Sequence, residues 1–137
     1  NNVHNIRKLL RLVVEHGTAS KADAAGYRVG GKTGTAEKPG TTSAGYSSSA
    51  QIASFVGAFP IDNPRYVLLA MVDEPKGTDA TYGYATGGWV AAPVVSRVVE
   101  RMGPLLGIRP VYEVPNSDKD PKNWVYYDGR RAHAVSF

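Results

Sequence analysis

The segment Gly30-Gly31-Lys32-Thr33-Gly34-Thr35 narrows this chain to two possible builds, because a Gly-Lys-Thr core serves two machines with incompatible backbones. Counted from Gly26, four residues and then Gly31-Lys32-Thr33 match a phosphate-binding loop, which must follow a buried strand and open a helix at its Lys-Thr. Counted from Lys32, Lys-Thr-Gly-Thr reads as an extended strand carrying one cation and two hydroxyls.

The flanks decide between them. Ser20-Lys21-Ala22-Asp23-Ala24-Ala25 precedes Gly26 and is no buried strand; Gly34, Pro39 and Gly40 follow the Lys-Thr. Inside a helix, glycine costs about 1 kcal/mol and proline about 3, and the segment has no helical apolar spacing. The run Val67-Leu68-Leu69-Ala70-Met71-Val72-Asp73-Glu74 imitates a strand ending in a Mg²⁺-binding acid. Yet Pro60-Ile61-Asp62-Asn63-Pro64 joins it tightly to the strand before, which implies an antiparallel hairpin. A nucleotide-binding fold needs parallel strands joined by crossovers, so the nucleotide reading is the weaker one.

In the strand reading, alternation puts Thr33 and Thr35 on one face and Lys32 on the other, with a stem long enough to bend around the lip of a cleft. A cation beside two hydroxyl donors receives a carboxylate. Gly34 has no side chain, so a peptide can lie against the backbone and bond edge to edge. A backbone N–H at the end of the motif can serve half of an oxyanion hole.

Around this strand the pattern reads helix, strand, strand, strand, helix and tail. Val3, Ile6, Leu10, Val13 and Val14, widened by Leu9 and Leu12, form an apolar stripe, with Arg7, Lys8, Arg11 and Glu15 as the wet side. Gly17 ends this helix, and residues 17–26 are a small, polar connector. Strands are expected at Tyr27–Glu37, Gln51–Phe59 and Tyr66–Val72, with a flexible loop over Lys38–Ser49 and a second loop over 74–88. From Trp89, Val94, Val98, Met102 and Leu106 mark a closing helix, with Pro93 in its first turn and a break at Gly103-Pro104. The fold class is α+β, an antiparallel sheet with N- and C-terminal helices packed on it.

Composition excludes several functions. The 137 residues suit one domain, and the absence of cysteine removes thiol catalysis, Cys-ligated zinc and disulfides. The net charge of +4 comes from scattered Lys and Arg, clustered only at Arg7, Lys8 and Arg11, so no nucleic-acid surface is expected. His4, His16 and His133 lack metal-ligand spacing, and no cofactor is implied. No apolar run spans a bilayer and the first residues form no signal peptide. Opening almost directly in a helix, the chain reads as a piece of something longer.

Three stretches lie beyond the reach of the motif alone: Gly26-Tyr27-Arg28-Val29-Gly30-Gly31-Lys32-Thr33-Gly34-Thr35-Ala36, then Ala53-Ser54-Phe55-Val56-Gly57-Ala58-Phe59-Pro60, then Gly87-Gly88-Trp89-Val90-Ala91-Ala92-Pro93-Val94. In this order they closely resemble the class B penicillin-binding proteins, especially the cell-division transpeptidases, and the likeness runs over residues 3–108. It implies a partial penicillin-binding-protein and serine β-lactamase-like fold over 1–108, with a tail at 109–137. It implies an enzyme in which a serine attacks the penultimate D-Ala carbonyl of a peptidoglycan stem peptide, and a neighbouring amine resolves the acyl-enzyme. Carried onto this chain, Lys32 keeps the cleft electropositive and aids proton transfer. Thr33, Gly34 and Thr35 hold the terminal carboxylate of a stem peptide or β-lactam antibiotic, and the Thr35 N–H donates to the oxyanion. The Lys38–Ser49 loop forms a rim.

The resemblance also marks what is missing. No serine here has a lysine three positions on, and Asn116-Ser117-Asp118 does not replace the Ser-x-Asn motif. Without an activated nucleophile there is no acyl-enzyme. The expectation is therefore the C-terminal part of a transpeptidase domain, inactive alone, exposing apolar surface where the remainder of that domain packs. Divisome membrane proteins as partners, and a place on the periplasmic side of the cytoplasmic membrane, follow from the resemblance only. The alternative of another class is a non-catalytic penicillin-fold binding or sensor module.

Overall fold

The computed structural model describes residues 2–39 and 46–112 (46–49 as backbone) and the backbone of 125–127 and 132–134. Helix α1 (Asn2–His16) leads through a short turn of 3₁₀ helix at Ser20–Ala22 into strand β1 (Gly30–Pro39). Strands β2 (Tyr46–Phe59) and β3 (Tyr66–Asp73) follow, then α2 (Gly87–Val90) and α3 (Ala92–Leu105). The sheet runs β1-β2-β3 with both pairs antiparallel. The backbone is extended through Lys32-Thr33, and no parallel pair exists among the described strands. This overturns the phosphate-loop geometry at both of its requirements.

Alternation gives the sheet two unlike faces. Phe55 and Phe59 on β2 are fully buried against α1 and α3, in a core shared with Val14, Val29, Val95 and Val99. Removing each of these aromatic rings from water is worth about 1.5–3 kcal/mol. The turn between β2 and β3 closes by backbone bonds from Asn63 N–H to Pro60 and from Arg65 N–H to Phe59. It is tied to the start of β1 by Arg28, which donates from Nε to Asp62 Oδ2 at 2.6 Å and from Nη2 to Oδ1 at 3.3 Å.

Helix α3 carries Pro93 in its first turn, as expected. It runs past Gly103-Pro104 to Leu105 because the end is built two residues later. Ile108 N–H bonds Gly103 O and Gly107 N–H bonds Pro104 O, around Gly107 at φ 67°. This is the paired bonding of a left-handed helix cap. Gly103 has its own reason: a Cβ there meets the Tyr27 ring at 2.2 Å.

Two further expectations are corrected. The segment read as a loop over Lys38–Ser49 is strand at both of its described ends: β1 extends to Pro39, β2 starts at Tyr46, and these two pair across a register shift. Cross-strand pairing outweighs the weak β-propensity of Ser and Lys, and proline is tolerated because β1 is an edge strand. Lys38 anchors this extension to Asp73 at 2.5 Å and Glu74 at 2.9 Å. The hydrogen bond to Asp73 and then that to Glu74 push its pKa above the usual lysine value. Residues 40–45 lie outside the described residues.

The second correction concerns α1. Its packed side joins Arg11 of the supposed wet face, only 7% exposed, to Val14 of the apolar stripe, whereas Val3, Ile6 and Leu9 are exposed. Arg11 donates from Nε to Glu15 Oε1 at 2.7 Å and from Nη1 to Asp23 Oδ1 at 2.8 Å and Val29 O at 2.7 Å. A guanidinium with this many acceptors is stable where an unpaired charge is not. The sheet face opposite the helices is also bare, with Val67 73%, Leu69 62%, Met71 59% and Val56 46% exposed. Val56 and Leu69 are cross-strand partners, and Met71 and Val67 flank them. Exposed apolar residues this contiguous mark a surface meant to be covered.

Beyond α3, Val111 N–H bonds Gly26 O at 2.8 Å, so the start of the tail docks on the body. Val125–Tyr127 (β4) and Ala132–Ala134 (β5) pair antiparallel; the rest of the tail lies outside the described residues. Among the described residues, no helix is long and apolar enough to cross a membrane.

Candidate functional site

Among the described residues, strand β1 borders the sheet and pairs only with β2, so one of its edges is open. Gly31, Thr33 and Thr35 share the face that bears the helices: a Cβ on Gly31 meets the Phe55 ring at 2.4 Å. Lys32 lies opposite Val56 in register and belongs to the other face by alternation. Its stem nonetheless curls around the open edge. Nζ donates to Thr33 O at 2.8 Å and approaches Thr33 Oγ1 at 3.3 Å. The cation and the hydroxyl are therefore together, by the route the strand reading anticipated.

Thr35 is placed by a contact far along the chain. The Gly87 N–H, at the start of α2, donates to Thr35 Oγ1 at 3.3 Å. Only glycine permits this approach. A Cβ on Gly87 meets Ser54 O at 2.2 Å and Gly34 O at 2.7 Å, and one on Gly88 meets Thr18 O at 2.2 Å. Helix α2 is held in turn by Trp89, whose ring stacks on Tyr84 at 5.2 Å, meets the edge of Tyr82 at 5.8 Å and carries Lys21 Nζ 4.2 Å above it. A cation over a tryptophan face contributes about 0.5–1 kcal/mol at an exposed position.

Thr18 is a residue that motif reasoning missed. It lies in the connector after α1, and its Oγ1 is 3.0 Å from Thr33 Oγ1. The end of α1 fixes its place: the Gly17 and Ala19 N–H groups both bond Val13 O, at 3.1 and 3.2 Å. Gly34 supplies openness at the strand, with Ser54 Oγ reaching its carbonyl from β2 at 3.4 Å. Lys32, Thr33, Gly34 and Thr35 thus form one patch at a free strand edge, backed by Thr18 and Gly87. A cation and two hydroxyls beside open backbone suit a carboxylate at the end of an extended peptide.

With this geometry, residues 1–100 match the penicillin binding protein transpeptidase domain. The chain belongs to that family. It is 45% identical over 113 residues to the probable peptidoglycan D,D-transpeptidase FtsI of Caulobacter vibrioides, covering 80% of this chain and 19% of that protein. The transpeptidase domain of Burkholderia pseudomallei penicillin-binding protein 3 superposes with a TM-score of 0.63 at 43% identity, over 76% of this chain and 30% of that one. Penicillin-binding protein 3 of Mycobacterium tuberculosis, in complex with ampicillin, superposes with a TM-score of 0.68 at 28% identity, over 82% and 25%. The chain spans about a fifth of the length of the Caulobacter relative.

Proposed function

We propose that this chain is the C-terminal, substrate-gripping part of a serine peptidoglycan D,D-transpeptidase that crosslinks stem peptides during septal wall synthesis. The observation that carries the reading is the wrap of Lys32 around the open edge of β1 onto Thr33. In this reading Thr33 and Thr35 bind the terminal carboxylate of the stem peptide or a β-lactam. Lys32 keeps the cleft positive and assists proton transfer to and from the nucleophile. In an antiparallel ladder a residue's N–H and C=O point to the same side. The Thr33 carbonyl meets Lys32 at the edge, so the Thr35 N–H, two residues on, shares that side and serves the oxyanion.

The nucleophile and the Ser-x-Asn motif belong, in this proposal, to the remainder of the domain, which covers the bare face of Val56, Val67, Leu69 and Met71 and the outer side of α1. The domain part ends at residue 108, where the cap of α3 closes, and 109–137 is a tail. The complete protein works at the periplasmic side of the cytoplasmic membrane with divisome membrane proteins as partners. Support for ligand class comes from the ampicillin complex of the mycobacterial relative. A fluorescent penicillin tests the reading: the full-length protein is expected to become covalently labelled and to crosslink stem peptides, and this chain alone to remain unlabelled. Labelling of the isolated chain, or labelling without any crosslinking by the full protein, counts against it.

A further inference from the structure

We propose that Thr18 is a positioning residue that sets the direction of the Thr33 hydroxyl, so that Thr33 meets an anion as a donor. This rests on the reading of β1 as a carboxylate grip. A threonine hydroxyl has one proton and two lone pairs. Lys32 Nζ, which can only donate, lies 3.3 Å from Thr33 Oγ1 and takes one lone pair. Thr18 Oγ1, 3.0 Å away, is the other neighbour. When Thr18 donates, both lone pairs of Thr33 are filled and its proton has to point outward along the open edge. When Thr33 donates to Thr18 instead, an arriving carboxylate faces a lone pair and is repelled.

The partner hydroxyl is wired in the same sense. The Gly87 backbone N–H donates to Thr35 Oγ1 at 3.3 Å and leaves the Thr35 proton free for the ligand. A backbone N–H cannot reverse its role, whereas a hydroxyl can. Thr18 is therefore a point at which a hydroxyl able to reverse its role sets the polarity of the grip. Its backbone is clamped between the end of α1 and Gly88, whose missing side chain admits the Thr18 carbonyl. Aligned hydroxyls polarise one another, so Thr18 strengthens the bond that Thr33 makes to an anion and does little for a neutral ligand.

The test uses the full-length protein with benzylpenicillin and its uncharged methyl ester, comparing second-order acylation rates for Thr18→Val, Thr18→Ala and Thr18→Ser. The valine and alanine variants are expected to lose up to about tenfold with benzylpenicillin, the size of one net hydrogen bond between neutral groups. The same variants keep their ester rate, and Thr18→Ser regains the benzylpenicillin rate. Equal loss on both compounds, or no loss on either, overturns the role of Thr18 while leaving the proposed function standing. Failure of the unaltered full-length protein to acylate at all overturns the proposed function first.

Discussion

Replacing Lys32 by alanine in the full-length protein is expected to lower acylation by a fluorescent penicillin by about 10²–10⁴-fold, the usual share of a positioned proton-transfer group. The loss has two sources on β1. The cation that curls onto Thr33 disappears, and with it both the positive field at the strand edge and the group that fills one lone pair of the Thr33 hydroxyl. Stability is expected to change little, because Lys32 is exposed and its contacts are local. Time courses of labelling at several penicillin concentrations separate the effects: a fall confined to binding assigns Lys32 to carboxylate recognition, and a fall in the limiting rate assigns it to chemistry. Unchanged labelling contradicts both roles.

The second large effect is a reversal of sign between contexts. Leu69 is 62% exposed here, paired with Val56 and flanked by Val67 and Met71. In the isolated chain Leu69→Lys is a surface change, expected to alter stability by no more than about 0.5 kcal/mol and to reduce self-association by breaking the apolar patch. In the full-length protein the same lysine is driven into an interface without a partner, at a cost of about 3 kcal/mol or more. That corresponds to a fall of several degrees in the melting temperature of the larger, complete domain. Thermal melts and light scattering of both forms check it. An equally mild effect in both contexts contradicts the idea that this face is covered by the rest of the domain.

The parts of the fold that are written locally were readable in the sequence. Lys32-Thr33-Gly34-Thr35 carries strand alternation and a flanking proline and glycine that forbid a helix, and Pro60–Pro64 carries its own hairpin. The side of α1 that packs was readable at Val14 but not at Arg11, for a physical reason. Arg11 looks solvated until Asp23 and the Val29 carbonyl, residues outside the helix, are brought to it. Val3, Ile6 and Leu9 look like core until the elements present are seen to cover the other side. The same holds at the site. Lys32, Thr33 and Thr35 are one short motif, but Thr18 and Gly87 reach it from 15 and 52 residues away. A small polar connector and a pair of glycines announce close approach, not which atoms they approach. The Tyr46–Ser49 stretch reads as loop by composition and becomes strand because β1 offers it a ladder.

The most direct measurement is a crystal structure of the full-length protein acylated by benzylpenicillin. The ligand is expected along the open edge of β1, with its carboxylate oxygens about 3 Å from Thr33 Oγ1 and Thr35 Oγ1. A carboxylate held by other groups, with both hydroxyls still turned to Thr18 and Gly87 and no ligand on the strand edge, contradicts it.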